Sequence, residues 1–332
     1  MEDLKSKDLG GIEELCASLG WPLFKARAIF RFIHKSLIDK IDAITTLTLR
    51  EREKLNEKYY LSQALPEKIS SGKMVQKIAF KLEDGLLVEA VMLGHHQGQR
   101  TICVSAQAGC PIGCLFCATG RMRFRRNLTT GEILSQIYYF AQKGKISNIL
   151  FMGMGEPFLN YDNVIKSAKI LNHALGQNIA ARKIVISTIG IISGIRKLAK
   201  EENQFRLAWS LISPFDKERR KLVPLNSLTS IDKTVSVLQE YQQETKRRIT
   251  IEYVVLKEVN DRKRDARELI EIAKKLDSHV NLIPYNPSPA LSFKPGDIYV
   301  LFRELQQEGV NVTIRKSLGR DIHAACGQLT CQ

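Results

Sequence analysis

From residue 101 onward, short apolar runs alternate with amphipathic ones at a regular pace. The runs at 101–105, 148–152, 183–188, 206–212, 249–256 and 279–283 are too apolar to be half exposed, as expected of strands buried on both faces. Between and after them, segments near 129–143, 161–174, 193–201, 231–245, 262–276 and 296–308 carry helical spacing. Six strand–helix pairs predict an α/β fold with a parallel sheet and helices outside it. Six units instead of eight predict a partial (βα)6 barrel, whose functional side chains belong at the C-terminal ends of the strands.

The first 66 residues have a different pattern. Ile12, Leu15 and Leu19, then Phe24, Ala28, Ile29, Phe32 and Ile33, recur at helical spacing, with Gly20-Trp21-Pro22 as a break. This predicts a small N-terminal helical domain over 1–66. Arg27, Arg31, His34, Lys35 and Lys40 make it basic, so it is either an RNA-contacting face or a solvated one. The period shortens over 67–100, where 74–82 and 86–93 flank the turn signal Asp84-Gly85, and 94–99 reads as another turn. The larger domain over 67–332 thus comprises a β-hairpin extension (67–100), the partial barrel (101–310), and a C-terminal strand and loop (311–332).

Composition narrows the setting. No apolar run in the 332 residues reaches membrane-spanning length, and Met1-Glu-Asp-Leu-Lys5 carries no hydrophobic signal region. The cysteines number seven, an odd count that suits a reducing cytoplasm better than a disulfide scaffold. Fifty Lys and Arg against 35 Asp and Glu give a formal charge of +15. That balance points to a polyanionic partner, most simply nucleic acid, although a soluble protein of high pI would show it too.

The chemistry concentrates in Gly109-Cys-Pro-Ile-Gly-Cys-Leu-Phe-Cys-Ala-Thr-Gly120, which holds Cys110, Cys114 and Cys117. Three soft thiolates on one short loop suit iron–sulfur or zinc. A [4Fe–4S] cluster usually takes four cysteines, so three leave one iron open to a small molecule. A zinc knuckle would want a fourth Cys or His nearby, and His95 and His96 lie upstream. At the end of the second barrel strand, Gly153-Met-Gly155-Glu156-Pro157 offers a backbone edge to a ligand and a carboxylate to an ammonium group, or is simply a tight turn. Ser187, Ser210 and Asn286 also fall at strand ends, where a hydroxyl or amide can bind a ligand oxygen or cap a turn.

Three further residues stand apart. Glu89 lies in an apolar run and by strand alternation points to solvent; facing the barrel mouth, it would serve as a general base. Cys103 precedes the cysteine loop on its strand. Cys326 sits among small residues in Asp321-Ile-His-Ala-Ala-Cys-Gly-Gln-Leu329, with little to pack against, as a mobile nucleophile would. Cys16 reads as a core filler and Cys331 as incidental.

The Cys spacing, with Phe116 before the last cysteine, resembles the radical S-adenosylmethionine (SAM) superfamily. The order of elements resembles one subgroup, the RlmN/Cfr family of radical SAM 23S rRNA adenine methyltransferases. The matching pieces are Val88-Glu89, Ile102-Cys103-Val104-Ser105, 107–120, Arg126-Asn127-Leu128, 152–157, Ser187-Thr188, 207–211, Val223-Pro224, Asn286-Pro287 and 324–329. The resemblance implies a [4Fe–4S] cluster on Cys110, Cys114 and Cys117, and SAM held by Gly155, Glu156, Ser187, Ser210 and Asn286. It implies that Cys326 becomes S-methylcysteine and that a SAM-derived radical activates that methyl group for addition to adenine. Glu89 would then take the ring proton and Cys103 would release the product through a transient disulfide with Cys326. The implied setting is a cytoplasmic monomer acting on 23S rRNA, and possibly on tRNA, with an external electron donor such as flavodoxin. The implied position is carbon 2; a Cfr-like carbon 8 is the alternative, as is a non-catalytic iron–sulfur or zinc RNA-binding protein. Ile212 and His323 depart from the family pattern, and Ser213-Pro214-Phe215 is closer to Cfr.

Overall fold

The computed structural model describes residues 1–332 except 96–97, 226–227, 290 and 332. The turn expected over 94–99, and His96 with it, therefore lies partly outside the described residues.

Ten strands form the main sheet. Seven of them are parallel: β6 (Arg100–Cys103), β9 (Asn148–Phe151), β10 (Ile184–Thr188), β11 (Arg206–Ser210), β12 (Thr250–Val255), β13 (His279–Pro284) and β14 (Val312–Ile314). They lie side by side in chain order. Helices α4 (Thr130–Ala141), α5 (Tyr161–Asn172), α6 (Ile192–Ala199), α8 (Ile231–Thr245), α9 (Lys263–Lys275) and α10 (Ile298–Gln307) connect them. One face of the sheet is fully buried, with Ile149, Phe151, Ile186, Trp209, Ile251 and Leu282 all within 1 % of full burial; on the other, Leu150, Val185, Ser187, Ser210 and Val254 are half-buried. The partial barrel expected from the pattern is the barrel observed.

The hairpin is larger than its sequence signal. β4 (Val75–Lys81) and β5 (Leu87–Gly94) flank the Asp84-Gly85 turn, and β5 joins the barrel sheet by pairing antiparallel with β6. A further strand, β3 (Leu65–Gly72), pairs outside β4. Most of its residues are exposed on both faces, so it carries no alternation for a reader to find. Arg126 pins this extension to the barrel. Its guanidinium donates to Asp84 at 2.7 Å and to both oxygens of Glu132 at 2.8 Å. Glu132 also closes the capping box that starts α4.

The N-terminal segment contains α1 (Leu9–Ser18), α2 (Leu23–His34) and α3 (Leu49–Asn56). Two-residue strands β1 (Glu2–Asp3) and β2 (Tyr59–Tyr60) tie its two ends together. Its apolar face, including Ile12, Ile29, Phe30 and Ile33, continues the barrel core without a break. The docking point is the start of α4. Gly131 lies so close to the segment that a Cβ there would fall 1.9 Å from Asp3 Oδ2. His34, expected among the basic face, is instead fully buried, with Nδ1 2.7 Å from the Tyr138 hydroxyl. Burial pushes its pKa down to about 3, so it is neutral and unavailable to a phosphate. Phe24, Arg27, Arg31 and Lys35 are exposed and share one face of α2 by their spacing.

Candidate active site

Six of the seven parallel strands, all but β6, end around one cavity. Phe151, Ser187, Ser210, Glu252, Val254, Ile283 and Arg315 reach it from the strand ends, and the Gly155–Pro157 turn closes one side. Cys110, Cys114 and Cys117 line it from the cysteine loop, and Cys326 from the C-terminal loop. The sequence-predicted cluster, cofactor and nucleophile residues thus converge on a single space, Asn286 excepted. Asn286 lies behind it: its amide donates to the Cys326 carbonyl at 3.1 Å and accepts from Arg320 Nε at 2.7 Å.

Local structure explains how each group is presented. The cysteine loop leaves the sheet through a clamp in which β7 (Gln107–Ala108) pairs with β8 (Arg126–Asn127). Apolar residues Ile112 and Phe116 pack the loop onto Ile189, Ile212, Leu222 and Val223. The Leu115 N–H donates to Leu222 O at 2.9 Å, at the end of α7 (Asp216–Leu222). That helix was not foreseen, because seven mostly charged residues with only Arg219 and Leu222 buried leave little periodicity.

Burial governs the loop thiols. Desolvation pushes Cys110 up to about 12, raises Cys114 well above the ordinary thiol value and raises Cys117 as well. Without a cation the loop holds three protonated thiols; the charge of bound iron would reverse that balance. Three soft donors on an apolar-backed loop fit an iron–sulfur cluster.

The turn after β9 fits the amino-acid end of SAM. Gly155 has φ +97°, and a Cβ there would sit 2.5 Å from the Gln107 Cβ, so only glycine leaves the backbone edge open. The Glu156 carboxylate is buried and accepts from Phe158 N–H at 3.0 Å and Ile189 N–H at 2.9 Å. Burial outweighs those bonds and pushes its pKa up to about 7. An ammonium beside it would hold it ionised. Ser187 and Ser210, on neighbouring strands, touch through their hydroxyls at 3.1 Å.

A second cavity adjoins the first. Cys103 lines it with Cys117, Met152, Gly153, Arg315 and Cys326. Cys326 thus stands in the wall between the two, facing the cysteine loop on one side and Cys103 on the other. Burial and the neighbouring Cys326 sulfur push the Cys103 thiol up to about 12. Arg315, close to both sulfurs, holds its charge more firmly because of Cys326 and Glu252. Arg315 and Glu252 escaped the sequence reading, since a lone charged residue at a strand end is an ordinary surface feature.

Glu89 departs from the solvent-facing default. It is fully buried, with Lys77 Nζ 2.8 Å from one carboxylate oxygen and the Thr330 N–H donating to the other at 2.9 Å. It lines neither cavity. Cys331 is not incidental either: its thiol donates to Leu87 O at 3.2 Å and touches Met154, anchoring the tail. Cys16 is buried in the core as expected. Among the described residues no helix is long and apolar enough to cross a membrane.

Known proteins of this architecture share the sequence as well. Residues 104–273 match the radical SAM superfamily model. A protein of Thermotoga neapolitana named "Probable dual-specificity RNA methyltransferase RlmN" is 43 % identical over 94 % of this chain and 92 % of its own length. Its namesake in Dictyoglomus thermophilum is 41 % identical over 99 % of this chain and 97 % of its own. The crystal structure of a radical SAM methyltransferase from Sphaerobacter thermophilus covers 100 % of both chains, with a TM-score of 0.94 and 38 % identity. By the cysteine loop, the barrel built around it and this near full-length likeness, the chain belongs to the RlmN family of the radical SAM superfamily, whose cofactors are a [4Fe–4S] cluster and SAM.

Proposed function

We propose that this chain is a radical SAM methyltransferase that carries a methyl group on Cys326 to carbon 2 of an adenine in 23S rRNA, and in tRNA. The observation that carries the reading is the position of Cys326 in the wall between the cofactor cavity and the Cys103 cavity. A group that must be loaded and activated on one side and released on the other belongs there. The relatives named as dual-specificity RNA methyltransferases support RNA as the substrate. So do the exposed Arg121, Arg123 and Arg125 beside Phe124 just after the cysteine loop.

Cluster and SAM supply radical cleavage, the step that makes an unreactive methyl group able to attack an aromatic carbon. The rest falls to side chains of this chain. Glu156 and the Gly155 backbone bind the amino-acid end of the cofactor, and Ser187 and Ser210 offer hydroxyls to its ribose. The Cys326 sulfur holds the carbon, Glu89 takes the ring proton, and the Cys103 sulfur displaces the product from the Cys326 sulfur. In that displacement the carbon leaves with the bonding pair and gains a proton, and the unpaired electron that radical addition puts on the ring passes to a one-electron acceptor such as the oxidised external donor. The S–S bond left behind needs an external thiol reductant.

The test is product analysis. Anaerobically reconstituted protein is incubated with SAM, a reductant and either a 23S rRNA fragment or tRNA, and the RNA is digested to nucleosides for mass spectrometry. The reading predicts 2-methyladenosine from both RNAs. 8-Methyladenosine would move the chain to Cfr-like chemistry, and SAM consumed with no methylated nucleoside would contradict RNA methylation.

A further inference from the structure

The Glu89 carboxylate is fully buried, and a buried charge needs a partner. Its surroundings supply one. Ala79 lies opposite Glu89 in the β4–β5 register, which places Lys77 one diagonal step away on the same face. Lys77 is itself only 5 % exposed, and its ammonium lies 2.8 Å from Glu89 Oε1. Among the described residues it is the one cation within ion-pair distance. The other neighbours are uncharged: Met154 sulfur against the Glu89 N–H, the Ser105 hydroxyl on the Glu89 carbonyl, and the Cys331 thiol, which burial and Glu89 push up to about 12. Beyond Lys77, a third cavity lined by Lys68, Arg121, Asp321, His323 and Thr330 opens toward this pair.

The two partners of Glu89 differ in kind. Oε2 is held by a backbone N–H of the C-terminal tail, which also carries Cys326. Oε1 takes no hydrogen bond among the described residues but is ion-paired to a side chain on a central hairpin strand. If Glu89 is the base, as the proposed function has it, Oε2 must part from Thr330 to reach a substrate, while Lys77 stays in place. We propose that Lys77 is the positioning residue for Glu89: its ammonium, paired with Oε1, supplies the buried carboxylate's counter-charge and holds it in place, leaving Oε2 to take the ring proton. In that step the ring C–H bond breaks, an O–H bond forms on Oε2, and the bonding pair stays with the ring.

Lys77→Met keeps most of the length of the side chain and removes its charge. In cluster-free protein, infrared spectra across a pH series should show a protonated-carboxyl band persisting to higher pH than in wild type. The band should vanish in Lys77→Met/Glu89→Gln. In the loaded enzyme the acid limb of the methylation rate should move to higher pH, costing about tenfold at neutral pH for each unit moved. Lys77→Arg should restore the wild-type profile. Lys77→Gln, which keeps a polar partner, gives the same readouts should the Met variant not fold. A folded, uncharged variant with an unmoved carboxyl band and an unmoved pH profile would overturn the proposal, because a merely structural role lowers activity equally at every pH. Retained methylation in Glu89→Gln would overturn the base assignment and this proposal together; an inactive Glu89→Gln beside an unshifted Lys77→Met would overturn this proposal alone.

Discussion

Thr119 donates its hydroxyl to the carbonyl of Leu329 at 2.8 Å, across 210 residues of chain. Beside it, the Ala118 N–H donates to Gly327 O at 2.8 Å. The cysteine loop and the loop that carries Cys326 are thereby joined end to end, although they come from opposite ends of the barrel sequence. These two bonds tie the nucleophile's loop to the cofactor site, beside the Asn286 amide on the Cys326 carbonyl.

Thr119→Val preserves shape and leaves the Leu329 carbonyl without its buried partner, a loss of about 1–2 kcal/mol locally. The variant should bind its cluster. RNA methylation should fall by about an order of magnitude, because a small misplacement of a reacting group is costly. Equal rates in variant and wild type would show that the Cys326 loop is positioned elsewhere.

A second prediction concerns the N-terminal segment. Gly131→Ala puts a methyl group 1.9 Å from Asp3 Oδ2 and 2.3 Å from Ser62 Oγ. Residues 1–62 cannot then seat on α4 as they do. Thermal unfolding should show a loss of about 1–3 kcal/mol or more, and limited proteolysis should cut the N-terminal segment first. Unchanged stability would mean that the segment docks by another contact.

The residues involved show what a sequence can and cannot disclose. The barrel was legible because its strands are continuous apolar runs, and α8 was read to the residue as Ile231–Thr245. Cys110, Cys114 and Cys117 were legible because ligands on one loop keep their spacing in the sequence. Strand alternation gave the wrong exposure for Glu89 because its burial depends on Lys77 and on Thr330, 241 positions away, and no local pattern encodes a partner that distant. His34 was misread for the same reason: a basic residue on an amphipathic helix gives no sign that Tyr138 waits for it. β3 was missed since an exposed edge strand has no apolar face to betray it.

His34 gives a pH dependence with a definite sign. Its pKa is about 3 in the folded protein against an ordinary 6.5. Between those values the unfolded chain takes up a proton that the folded chain does not. This residue's stabilising contribution is therefore complete above about 6.5 and is lost as pH falls, by up to about 1.4 kcal/mol per pH unit. The stability gap between cluster-free wild type and His34→Gln should close, or reverse, from about pH 7 down to about 5. Parallel stability curves would contradict the neutral buried ring.

The most direct test of the account concerns the carbon carrier. In soluble, cluster-loaded Cys103→Ala, Cys326 still accepts the methyl group and still adds to adenine, but no sulfur remains to release the product. Incubated with SAM, reductant and RNA, this variant should accumulate protein joined covalently to RNA, as a slow band that nuclease removes. Peptide mass spectrometry should place the linking carbon on Cys326, while Cys326→Ala should give neither adduct nor methylated RNA. Free methylated RNA from Cys103→Ala with no adduct, or a linkage on any other cysteine, would contradict the roles assigned to Cys326 and Cys103.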